Sequence, residues 1–190
     1  SVESMDGALR IGFKATLFAF CGNHQANADE YMPLMASVAS HLEGNGISFW
    51  FEIYTAVSCL HCCRRRVDDN SNFMNKNNHN HNTSASRQQV SQYRKFGRET
   101  SRKVKRWISQ GCCNLKQLDY LLDAELAVLS GHVVKACQFY QNSIKAAEMR
   151  FRMNDAGLAS ERLGEYLLSS ECCNDIDGAR IALNDAIEYY

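Results

Sequence analysis

Proline is nearly absent from this chain, with one in 190 residues, and glycine is sparse at eleven. Few breakers of regular structure argue against a turn-rich β fold and favour long helices. Net charge is also missing: 21 basic residues balance 21 acidic ones, so no global polyelectrolyte partner is implied. No apolar run is long enough to span a bilayer. The most apolar stretch, "ISFWFEIYTAVSCL" at 47–60, is too short and contains Glu52. It reads as a buried helix that turns Glu52 outward. Neither G-x-x-x-x-G-K-[ST], G-x-G-x-x-G nor G-x-S-x-G occurs, which removes the usual sequence signs of a phosphate cradle or a serine nucleophile. No histidine sits in a sequence context that suits nucleophilic catalysis.

What is present is unevenly distributed. Residues 1–63 carry two basic and six acidic side chains, 64–113 carry twelve and three, and 114–190 carry seven and twelve. A basic middle thus lies between acidic flanks. Nine cysteines are an odd number, and six of them form the doublets Cys62-Cys63, Cys112-Cys113 and Cys172-Cys173. Adjacent cysteines are hard to bridge within one chain, so free thiols in a reducing, cytoplasmic setting are expected. The start at Ser1 and the end in "DAIEYY", inside an apparent helix, suggest a piece of a longer polypeptide.

Apolar residues three and four apart predict helices over 8–21 and 31–42, and "EGNG" at 43–46 precedes a third over 47–63. Residues 67–89 hold seven asparagines and few large apolar groups. Such a segment buries too little surface to offset its ordering entropy, so 67–92 is expected to be a disordered insertion between a helical segment, 1–66, and a helical-hairpin region, 93–190. From Tyr93 a strongly amphipathic helix begins. Phe96, Thr100, Val104, Trp107 and Ile108 share one face, and Arg94, Lys95, Arg98, Arg102, Lys103, Lys105 and Arg106 fill much of the rest. Gly111 closes it. Further helices are expected over 115–130, 132–150, 154–170 and from 176 onward.

The last third repeats itself. "KACQFYQNSIKAA" and "GARIALNDAIEYY" align at a period of 43, with Ala136 on Ala179, Tyr140 on Leu183 and Ile144 on Ile187. The helices before them align at 40, with Ala124 on Gly164 and Glu125 on Glu165. Small residues that admit a neighbouring helix, followed by bulky ones that fill its groove, are the pattern of stacked, tetratricopeptide-like antiparallel hairpins. The fold expected is therefore all-α. Packing roles fall to Trp107, Leu122, Leu126, Ala136, Tyr140, Leu163, Leu167, Ala179 and Leu183.

Candidate chemistry is thin. In "LLDAELAVLSG", 121–131, Asp123 and Glu125 are two apart on a helix and so point about 200° from one another. Asp119 and Asp123 do share a face, which reads as an exposed or partner-facing stripe. Glu125 and Glu165 suit a cap or a basic partner inside the stack. "CLHCC" at 59–63 holds one C-x2-C with His61 inside it, but a closed zinc site needs four ligands and no second C-x2-C exists. No catalytic residue, metal ligand or cofactor site is assigned. The basic face of 93–108, through Arg94, Lys95, Arg98, Arg102, Lys103 and Arg106, is the candidate partner surface. It reads either as a solvated face or as a site for nucleic acid or acidic lipid.

The segments "FWFEIYTAVSCLHCCRR", Trp107 with "GCCN", "LLDAELAVLSG", "CQFYQNSIKAA", "GLASERLGEYLL" and "ARIALNDAIEYY" resemble a helical region of large multidomain signalling proteins. These are hybrid histidine kinases and serine/threonine-kinase-like proteins with a regulatory ATPase module. The resemblance covers 47–63 and 93–190, and 1–46 more loosely; the asparagine-rich insertion departs from it. It implies a non-catalytic, kinase-associated scaffold whose partners are protein domains of the same or another signalling chain, with self-association open. It carries no catalytic residue onto this sequence. The alternatives are a regulatory segment of a nucleotide cyclase or ATPase-type signalling protein, and a nucleic-acid-binding module using 93–108.

Overall fold

The computed structural model describes residues 4–42, 47–73, 83–169 and 175–190, and for 65–73 and 83–86 the description extends to backbone alone. All regular structure among the described residues is helical. The chain divides into two compact units, Ser1–Thr100 and Ser101–Tyr190.

The first unit opens with α1, Met5–Phe20, capped by Ser4, whose hydroxyl accepts from the Gly7 amide at 3.2 Å. Its buried face is made of small residues, Ala8, Gly12, Ala15 and Ala19. A Cβ on Gly12 would overlap the Phe51 ring at 1.9 Å, so this face lets α4 come close. A short α2, His24–Ala26, leads through a π turn, Asn27–Tyr31, and a 3-10 turn, Met32–Leu34, into α3, Met35–His41. Regular α-helix thus starts four residues later than the periodicity predicts, because Pro33, the lone proline, lacks an amide donor and constrains the residue before it.

The long α4, Ile47–Phe73, is buried on every side from Phe51 to Arg64. A helix with no outward face is the centre of its unit. Glu52 therefore has no water to turn to, and the expected outward orientation is corrected: it is buried and accepts from the Thr100 hydroxyl at 3.2 Å. Helix α5, Thr83–Ser109, approaches α4 closely at Gly97, where a Cβ would lie 2.5 Å from the Leu60 side chain. Both α4 and α5 carry helical backbone into the ends of the segment 67–92 that composition marks as an insertion; its centre, 74–82, lies outside the described residues. Tyr31, Met35, Val38, Leu42 and Phe51 form the apolar core, with Phe96 packed against it.

In the second unit the end of α5 is followed by α6, Lys116–Val128, α7, Val133–Glu148, α8, Met153–Leu167, and α9, Ile176–Tyr189. Each packs on the next, and α6 also touches α8. Tight turns join α6 to α7 and α7 to α8, so these neighbours run antiparallel. The closest approach is between α8 and α9: a Cβ on Gly164 would meet Leu183 Cγ at 2.6 Å and the Ala179 carbonyl at 3.3 Å. Asp175 caps α9 through a 2.9 Å bond from the Gly178 amide. The residue aligned with Gly131, Asn174, lies outside the described residues.

Candidate functional site

The acidic residues first drew attention, and the structure separates their roles. Asp119 is buried and Asp123 partly so, which corrects the exposed half of the reading of the pair as an exposed or partner-facing stripe. Lys105, near the end of α5, bonds both carboxylates, at 2.7 and 2.6 Å, and Lys116 adds a 3.0 Å bond to Asp119. Partial burial alone would lower the Lys105 pKa, but the hydrogen bonds it donates to Asp119 and Asp123 outweigh it and the net shift is upward. The two acids are thus paired with two cations, Lys105 and Lys116. Glu125, fully buried, accepts from the Tyr140 hydroxyl at 2.9 Å. Its repeat partner Glu165 instead pairs with Arg162 at 2.8 Å. Sequence alignment matched the two glutamates, but the groups that meet them differ: a phenol from the next helix, and a guanidinium one turn away.

Within the first unit the structure joins residues far apart in sequence. His24 Nδ1 and Ser58 Oγ are 3.0 Å apart, Asn27 donates to the same hydroxyl at 2.9 Å, and the His24 and His61 rings meet at a tilt of 58° with centroids 4.5 Å apart. Sequence reasoning missed this pairing because 34 residues separate serine and histidine. The cluster is sealed, with Ser58 and His24 buried, and Asn27 is anchored to the Ala15 carbonyl at 2.8 Å. A substrate has no way to reach the hydroxyl, so this is a polar network that ties α1, α2 and α4 together. Beside it, Asp29 collects the side chains of Gln25, Gln89 and Tyr93. Burial and the bond to Asp29 push the Tyr93 hydroxyl well above its ordinary pKa.

The seven described cysteines, Cys21, Cys59, Cys62, Cys63, Cys112, Cys113 and Cys137, are thiols rather than disulfides. Burial, then the neighbouring Cys62 and Cys63, push the Cys59 thiol up, which makes it a poor nucleophile. No group of three or more His, Cys, Asp or Glu side chains among the described residues is placed to hold a metal ion. No helix among them is long and apolar enough to cross a membrane.

A concavity lies in the second unit. A groove of about 580 Å³ runs between α7, α8 and α9. Val133, Val134 and Ile144 of α7, Leu163 and Leu167 of α8, and Ile181 of α9 give it an apolar floor and walls. Val134 and Ile181 are 70% and 59% exposed. Among the described residues the charged groups along it are Asp175 and Asp185, and Gln138 and Gln141 also line it. Two of the residues singled out for packing, Leu163 and Leu167, line this groove. Of the others, Leu122, Ala136, Tyr140 and Ala179 are buried, while Trp107, Leu126 and Leu183 are partly so. On the basic helix, Lys95, Arg98, Arg102, Lys103 and Arg106 are exposed and Arg94 partly so. The groove escaped sequence reading because its walls come from positions 133 to 185 on three helices. No protein-family model, no curated protein and no solved structure matches the chain.

Proposed function

We propose that the chain is a non-catalytic helical scaffold that docks a partner segment in the groove between α7, α8 and α9. The observation that carries this reading is the groove itself: largely apolar, with the carboxylates of Asp175 and Asp185 as the charged groups among its described lining residues. Amphipathic helices bind such grooves by laying apolar anchors at three- and four-residue spacing onto the floor. The acidic lining selects a partner with basic groups flanking those anchors. The sequence resemblance to helical regions of signalling proteins supports placing the scaffold in a signal-transduction polypeptide. The paired acids, the sealed Ser58–His24 network and the buried, high-pKa Cys59 favour binding over catalysis.

The test is a fluorescence-anisotropy titration with a labelled helical peptide carrying leucines at i, i+4 and i+7 and lysines beside them. Binding is expected to weaken tenfold or more with Val134→Asp or Ile181→Asp, roughly 1.4 kcal/mol. Both side chains face solvent, so neither change opens the core. Equal affinity for wild type and both variants would sink the reading.

A second reading rests on the exposed cations of α5, which fit nucleic acid. If it holds, generic RNA binds the chain and affinity falls steeply between roughly 50 and 200 mM salt. Absence of binding at the lower salt removes it.

A further inference from the structure

Three turns of the second unit repeat one hydrogen-bond pattern. After α5, the Gly111 amide bonds the Ile108 carbonyl at 3.0 Å and the Cys112 amide the Trp107 carbonyl at 3.0 Å. After α6, Gly131 bonds Val128 and His132 bonds Ala127, both at 2.9 Å. After α7, Phe151 bonds Glu148 at 3.0 Å and Arg152 bonds Ala147 at 2.9 Å. The residue that turns left-handed is Gly111 (φ 104°), Gly131 (φ 70°) and then Phe151 (φ 55°). Glycine holds the left-handed position at the first two turns because it has no Cβ to clash. At the third, the same backbone is imposed on a bulky aromatic, where it is strained.

No contact inside the unit compensates that strain, because Phe151 is 86% exposed. Met149 and Met153 beside it are also exposed. Arg150 and Arg152 are interleaved with them, so the tip reads Met-Arg-Phe-Arg-Met. The strain and the exposed apolar area are both unfavourable in a lone molecule. Both are explained if the tip is seated against another surface.

We propose that the 149–153 tip of one molecule docks into the α7–α8–α9 groove of a second copy of this chain. This inference rests on the groove being a docking site, as proposed above, and names its occupant. Shape and charge both fit. The tip is apolar at Met149, Phe151 and Met153 and basic at Arg150 and Arg152, of which Arg152 also pairs with Asp155 at 3.1 Å, and the groove is concave and apolar, with Asp175 and Asp185 as the charged groups among its described lining residues. The groove follows α7 from Val133 to Ile144, and the tip lies past the far end of the same helix. A rigid helix holds the two apart, so a tip cannot fill the groove of its own chain. The contact is therefore heterologous, tip to groove, and each added molecule leaves one tip and one groove open. A five-residue tip covers a small area, which makes the association weak and concentration-dependent.

Sedimentation velocity on the full chain, from roughly 10 to 500 µM, tests this in the range expected for a weak contact. Wild type is expected to gain mass with concentration. Phe151→Gly and Ile181→Asp are each expected to remain monomeric. An equimolar mixture of the two variants should form dimers and nothing larger, since it holds one intact tip and one intact groove per pair. Phe151→Gly should keep at least the wild-type urea midpoint, because glycine accepts the left-handed backbone. A monomeric wild type throughout, association of Phe151→Gly like that of wild type, or a mixture that stays monomeric would overturn the proposal. If the peptide titration succeeds while these fail, the groove is a docking site for another partner and self-association alone is wrong.

Discussion

The Tyr140 hydroxyl reaches across from α7 to the carboxylate of Glu125, a fully buried acid on α6. Removing a donor that leaves a buried acceptor unmet costs about 1–3 kcal/mol. Tyr140→Phe removes only the hydroxyl and keeps the ring beside Tyr166. A loss of about 2 kcal/mol is expected in urea unfolding; a midpoint shift within error would show that Glu125 does not depend on this donor. The thiols give a second residue-scale expectation. Cys21 and Cys113 are exposed, whereas Cys59, Cys62 and Cys63 are buried, and the Cys59 thiol is raised by burial. Among the described cysteines, native protein should be alkylated first at Cys21 and Cys113 and at the α4 trio only on unfolding. Mass spectrometry of timed labelling checks the order, and early modification of Cys59 would contradict the buried α4.

At the scale of elements, helix spacing is set by small residues. Ala136 is fully buried in α7, and Gly164 brings α8 against α9 with no room for a Cβ. Ala136→Trp inserts a large ring into a full core, and overpacking of this kind costs about 1–3 kcal/mol or more. A melt by circular dichroism should shift down by several degrees; an unchanged curve would mean that α7 is packed in a different register. Glycine at a turn acts through the backbone instead. Gly131 has φ 70° with open space around it, so Gly131→Ala meets no clash and suffers only the left-handed penalty, about 1 kcal/mol. Urea titration measures that loss. The amphipathic pattern of α5 and the small-residue positions of α7, α8 and α9 are readable in the sequence because both are local periodicities. The fates of Glu52, Asp119 and Glu125 are not, since each depends on a residue supplied by another helix: Thr100, Lys105 and Tyr140.

For the molecule as a whole, the ionisable groups point to alkaline sensitivity. The Tyr93 and Tyr190 hydroxyls are raised mainly by burial, each beside an acid. The Tyr189 hydroxyl, bonded to Glu148, is pushed up to about 12, and Lys105 is raised by its two aspartates against the pull of burial. A group whose folded pKa exceeds its unfolded value adds stability that is full below the unfolded value. That stability disappears as pH rises toward the folded one. Stability should therefore hold up to about pH 10 and fall between about 10 and 12. Urea midpoints across that range check it, with tyrosine absorbance rising together with unfolding. Flat midpoints to pH 12 would mean that these hydroxyls are not held protonated by the fold.

The sequence by itself determined the class of the molecule: few breakers, apolar residues three and four apart, and matched small positions leave helices packed on helices. It also determined where turns fall after α5 and α6, since Gly111 and Gly131 permit a left-handed backbone that few residues tolerate. Tertiary structure alone decided which charges are hidden, that His24 meets Ser58, and that three helices leave an acidic-lined apolar groove. It alone revealed that Phe151 stands in a glycine's conformation. Periodicity is a property of neighbours along the chain, whereas burial, pairing and concavity arise only when distant segments share space.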